Sequence, residues 1–159
     1  MARLSPSFFA LMALASLGLS APLQAQVQPQ AHPQNDAATC LAFANLGGIV
    51  ADYILPISLR DYAAMNSGKD PQRVQGLVNK IDRELSQTDK QAFSRHGPNN
   101  SALLEEASTE LAINLVLDGH ASNPQGISSF MLQDCRQATP SRIIEIQGQA
   151  HQDQSQTTR

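Results

Sequence analysis

The chain has two cysteines, Cys40 and Cys135, and whether they pair decides most of what it can fold into. A bond between them would close a loop of roughly 95 residues, tying the start of the folded domain to its end. Pairing depends on the compartment, and the N-terminus speaks to that. In "MARLSPSFFALMALASLGLSAPLQAQ" the positive Arg3 precedes an apolar run from Phe8 to Leu19, and a small residue stands before a polar one. This is the tripartite layout of a secretory signal peptide (1–25), with cleavage expected between Ala25 and Gln26. The run of about twelve residues is too short to cross a hydrocarbon core of about 30 Å as a helix. No stable membrane insertion is therefore expected after cleavage. No cysteine stands at the cut to carry a lipid. The compact signal is bacterial in style, which points to the periplasm, or to secretion.

In an oxidising compartment two cysteines of a small domain pair. The competing uses lack their companions. A catalytic thiol needs an activating base, and no histidine is near either cysteine in sequence. A redox site of the C-x-x-C kind is absent. A zinc site would draw on His32, His96, His120 and His151, none of which is four residues from a cysteine or from another histidine. The expectation is a Cys40–Cys135 disulfide stabilising the fold by roughly 4–5 kcal/mol on the loop-entropy model, with no metal and no cofactor.

Segments 26–35 and 147–159 are Gln-rich and lack apolar periodicity, and both are expected to be disordered. That leaves a domain over 36–146. Its first helix, capped by Asp36, is apolar almost all round from Ala37 to Leu55, with only Asn45 and Asp52 clearly polar. Such a helix belongs at the centre of a fold. Pro56 ends or kinks it, and Gly68 stops the segment that follows. Asp70-Pro71 opens a helix with Val74, Leu77, Val78, Ile81 and Leu85 on one face. "QTDKQAFSRHG" is a short helix ending at Gly97. The next helix turns Leu104, Ala107, Leu111 and Leu115 inward and ends at Gly119. A last one, capped by Asn123, buries Ile127, Phe130, Met131 and Cys135. "RIIEI" is too short to assign; it reads as a short strand or an irregular tail. The fold class expected is all-α, a small antiparallel bundle of four to five helices cross-linked by one disulfide. The bridge would make the first and last helices antiparallel neighbours. Four-residue steps from it pair Ala44 with Met131 and Gly48 with Ile127, and the small column Cys40, Ala44, Gly48 would let them approach closely. The alternative is that Gly47-Gly48 breaks the first helix.

For function the sequence offers mainly exclusions. After cleavage ten Lys and Arg face fourteen Asp and Glu, a net charge of about −4, and five aromatics remain with no Trp. A basic stripe is missing, so no nucleic-acid partner is expected. The most suggestive stretch is "LLEEASTEL", where Glu105, Glu106 and Glu110 lie in a segment, Ser101 to Asp118, without Lys or Arg. The like-charged pair Glu106 and Glu110 costs a few tenths of a kcal/mol in a helix. It reads as a patch for a basic partner, as a solvated face, or as a face paired across the bundle with Arg73, Lys80 or Arg83. Two carboxylates could also serve glycoside cleavage, but an aromatic-lined cleft is lacking. Asp52, on a central helix, would need a partner such as Arg60 or a backbone cap. His96 and His120 each adjoin a helix-ending glycine, where an imidazolium meets the helix dipole. No catalytic residues are expected. The function expected is an exported, non-enzymatic protein-binding module of the periplasmic inhibitor or immunity type, with a protein partner in the cell envelope. An acid-stress chaperone of the envelope and a small hydrolase are the alternatives.

Overall fold

Proline starts five of the seven helices found among the described residues: α1 (Pro33–Ile54), α3 (Pro71–Glu84), α5 (Pro98–Leu117), α6 (Pro124–Ala138) and α7 (Pro140–Thr157). At the first helical position the ring's missing N–H costs nothing and its fixed φ is already helical. The other two, α2 (Leu59–Asn66) and α4 (Gln87–Ser94), start from serine caps. Ser58 accepts from the Asp61 N–H and Ser86 from the Asp89 N–H. Gly68, Gly97 and Gly119 stand in the left-handed region, following α2, preceding α5 and following α5. The structure, a computed structural model, describes residues 33–157, with side chains from 36 to 153. The expected signal peptide and most of the expected leader lie outside these residues.

The chain is all-α, and α1 is its centre. Its Phe43, Leu46, Val50 and Ile54 are almost fully buried. By length and composition Asp36–Ile54 could cross a membrane, but here α3, α4, α5 and α6 surround it. It continues unbroken through Gly47-Gly48. Cys40 and Cys135 are bonded, with Cα atoms 5.4 Å apart, and α6 runs antiparallel to α1. Such a bond belongs to an oxidising, extracytoplasmic compartment. The helices do approach closely, but one residue out of the expected register. A Cβ on Gly47 would overlap the Met131 sulfur and methyl group, whereas one on Gly48 would meet Ser128 Cβ at 3.4 Å.

On the opposite flank α3 and α4 run antiparallel to α1 end to end. Tyr53 Oη donates to the Arg73 carbonyl at 2.8 Å, and Gly76 provides the space, since a Cβ there would overlap the phenol oxygen. Further along, Asn45 Nδ2 donates to Asp89 at 3.1 Å. By contrast α5 runs parallel to α1: Ser108 Oγ donates to the Phe43 carbonyl at 2.7 Å, and Gly47 faces Ala112 one turn on.

Five expectations need correction. The first helix begins at Pro33, so residues 33–35 are helical and Asp36 lies inside the first turn. The tail expected from residue 147 to be disordered is helical to Thr157, and "RIIEI" is the start of that helix rather than a strand. Glutamine and alanine sustain α7 where apolar periodicity fades. Ile143 and Ile144 pack its first turns against the core, and further along polar bonds hold it to α5, Gln147 to Glu110 and His151 to Glu106. Val74 and Val78 are 42% and 44% exposed, because α3 packs on α1 and leaves that flank bare. Phe130 is also exposed and stacks on His120, with ring centroids 5.7 Å apart.

Thr139, which caps α6, has φ 67° and ψ 146°, a region in which a β-branched side chain is strained. Thr139→Gly is expected to raise stability by about 1 kcal/mol, checked as a higher urea midpoint at unchanged slope.

Candidate functional site

The three acidic residues singled out from the sequence lie together on α5. Its inward side is occupied by Leu104, Ser108, Ala112 and Leu115. The register therefore turns Glu105, Glu106 and Glu110 toward the rim. They do not reach Arg73, Lys80 or Arg83, whose helix lies across a gap. Glu105 accepts from Ser101 Oγ at 3.1 Å, Glu106 pairs with His151 Nε2 at 2.8 Å, and Glu110 accepts from Gln147 Nε2 at 3.1 Å. Two of the three are thus engaged by α7 from one side.

On their other side is a groove of about 240 Å³ between α3 and α5. Leu46 of α1 and Ile81 of α3 floor it, and Thr109 and the three glutamates form one wall. No Lys or Arg occurs anywhere on α5. The groove combines an apolar floor with one negative wall, an arrangement suited to a ligand that is apolar in the middle and cationic at its edge.

A larger cleft of about 570 Å³ lies on the opposite side of α3, lined by Asn45, Gly48, Asp52, Glu84, Asp89 and Ser128 among others. Its carboxylates already have protein partners. Asp89, only 7% exposed, accepts from Asn45 Nδ2 and from Ser86 Oγ at 2.7 Å. It fastens the start of α4 to the middle of α1. Asp52 is exposed rather than buried, and its partner is Lys80 at 2.9 Å, not Arg60. Lys80 also reaches Glu84 at 2.8 Å. The hydrogen bond to Glu84, then that to Asp52, hold the ammonium pKa above its usual value.

A third grouping was not legible from sequence. His96 Nε2 lies 2.9 Å from Thr39 Oγ1, with Asp36 close enough to act on the ring electrostatically. The residue types are those of a hydroxyl–imidazole–carboxylate relay. Thr39, however, has no exposed surface. A substrate has no approach to that hydroxyl, and the contact acts as a clasp between α1 and the end of α4. Burial lowers the His96 pKa below 6.5, and Asp36 opposes this in part. The imidazole is half-buried with its proton held less tightly than usual, not the dipole-capping imidazolium expected from "RHG".

Its sign sets a pH dependence. The folded state binds the His96 proton less tightly than the unfolded chain does, so this contribution to stability is complete above pH 6.5. It is lost as pH falls from there toward the folded-state value. The melting midpoint is expected to drop between pH 7.5 and pH 5, and to drop less in His96→Gln. Equal acid sensitivity in the two proteins would remove His96 from the account.

Among the described residues no cluster of three or more His, Cys, Asp or Glu is placed to hold a metal. The glutamates of the α3–α5 groove also have protein partners, but two of the three are held from the α7 side, and the groove is distinguished by its apolar floor of Leu46 and Ile81. Comparison with protein-family models, with curated proteins and with solved structures finds no match to this chain.

Proposed function

We propose that this is an exported, non-enzymatic protein-binding module of the periplasm, of the inhibitor or immunity type, and that it engages a protein partner of the cell envelope through the α3–α5 groove. The observation carrying this reading is the pairing of an apolar floor, Leu46 and Ile81, with a wall of three carboxylates on a helix lacking any cation. The disulfide adds a second support. A covalently closed scaffold presents the face with little conformational entropy left to lose on association.

The test is capture from an envelope fraction at pH 7 with the oxidised protein, run beside the triple variant Glu105→Gln, Glu106→Gln, Glu110→Gln. One stoichiometric partner, retained by the native protein and lost by the variant, is the expected result. Equal capture by both, or no partner at all, overturns the reading.

The envelope chaperone remains as a second reading because of the half-buried His96, whose protonation loosens the link between α1 and α4. It requires many clients, bound only at pH 3–4, with loss of fixed packing.

A further inference from the structure

We infer that the α3–α5 groove takes a cationic amphipathic helix, laid along α3 with its aliphatic residues down and its lysines or arginines toward α5. This rests on the protein-binding reading above and names the chemistry of the partner.

The first argument is the width of the apolar stripe on α3. Leu77 and Leu85 are buried and Ile81 packs against the core, yet Val74 and Val78 on the same face remain 42% and 44% exposed. Val78 lies one turn before Ile81 and Val74 one turn before that, so they continue the apolar stripe from the groove for two turns along α3, toward the C-terminal end of α5. An uncovered stripe several turns long, running with a helix axis, suits an occupant with its own aliphatic side chains at i, i+3, i+4 and i+7. A small compact ligand would use only the Leu46–Ile81 hollow and leave the valines bare.

The second argument is charge. Glu105, Glu106 and Glu110 form the wall on α5. The Gln147 and His151 contacts come from the α7 side of Glu110 and Glu106, and Glu105 is tied only locally by Ser101. Complementarity therefore asks for cations along one edge of the occupant. The chain's own segment 26–32 contains no Lys or Arg. A second copy would bring the same acidic face and a net negative charge. Neither matches the wall as a basic helix does.

The experiment uses the oxidised mature protein and three synthetic two-heptad peptides. One places leucine at core positions with lysine on both flanks, the second keeps the leucines and replaces lysine with glutamate, and the third scrambles the first. Binding is followed by titration calorimetry at two salt concentrations. The lysine peptide is expected to bind at least about tenfold more tightly than either control. The double variant Val74→Ser, Val78→Ser should weaken it at least about tenfold while keeping the melting midpoint, since both side chains are exposed. Glu105→Gln should weaken it by about threefold and flatten its salt dependence.

No binding of the lysine peptide, equal binding of the scrambled one, or indifference to the valine substitutions would overturn the inference. So would self-association of the native protein that the valine variant abolishes, because a second copy would then cover the stripe. The two levels separate cleanly. An envelope partner that depends on Glu105 but presents no basic helix overturns this inference and leaves the binding reading standing. Peptide binding with no envelope partner sinks the reading and keeps the groove chemistry.

Discussion

Replacing both Cys40 and Cys135 with alanine is expected to lower stability by roughly 4 kcal/mol. The bond spans a sequence separation of 95. Closing so long a loop removes a large share of the unfolded chain's freedom, which on the loop-entropy model gives the figure. Both sulfurs are also buried, so truncation adds the loss of their packing between α1 and α6. For a domain of this size the melting midpoint should fall by about 10–20 °C. Reduction of the native protein should reproduce most of the shift. A midpoint unchanged after both thiols have been shown to be free would mean that the bridge only decorates a fold held by other contacts.

The second large effect separates two adjacent glycines. Gly47 faces Met131, which is fully buried, and leaves no room for a side chain; Gly48 faces Ser128 at ordinary contact distance and opens on the larger cleft. Gly47→Leu should destabilise by about 2–3 kcal/mol through overpacking, even after the gain from removing a helical glycine. Gly48→Ala should stabilise by up to about 1 kcal/mol, because helix propensity improves and little is displaced. Opposite signs at neighbouring positions are the diagnostic, read as shifts of the denaturant midpoint. Two changes of the same sign would mean that α1 and α6 meet in a different register.

The sequence-based register erred by that one residue for a physical reason. Counting turns from a disulfide assumes that two helices stay parallel in projection, whereas packed helices cross, and the contact drifts around each of them. Part of what local chemistry determines was legible: the Asp70-Pro71 and Asn123 starts, the glycine stops, the central apolar helix and the cysteine pair; the starts at Pro33 and Pro140 and the serine caps Ser58 and Ser86 were not read. Partner choice by polar side chains was not. Asn45 finds Asp89, Thr39 finds His96 and Asp52 finds Lys80 across tens of residues. Nothing local to those residues announces the match. Periodicity likewise placed Val74 and Val78 on the apolar face of α3 without showing whether a neighbour covers it. Their exposure, together with the acidic wall of α5, is what turned a stripe of residues into a candidate site. In α7 the apolar packing is confined to the first turns, at Pro140, Ile143 and Ile144, and beyond them the helix is carried by glutamine propensity and by bonds to the two outer glutamates, which apolar periodicity does not reveal.

The position of the bridge also determines how the molecule carries load. Tension applied between the start of α1 and the end of α7 enters at Cys40, crosses the two sulfurs and leaves at Cys135. Everything between those residues, the body of α1 and all of α2 to α5 with most of α6, sits in a slack covalent loop that the force bypasses. Under traction the first turns of α1 and the whole of α7 would peel away while the groove between α3 and α5 kept its shape. A tether at either end could thus be pulled without altering the binding face.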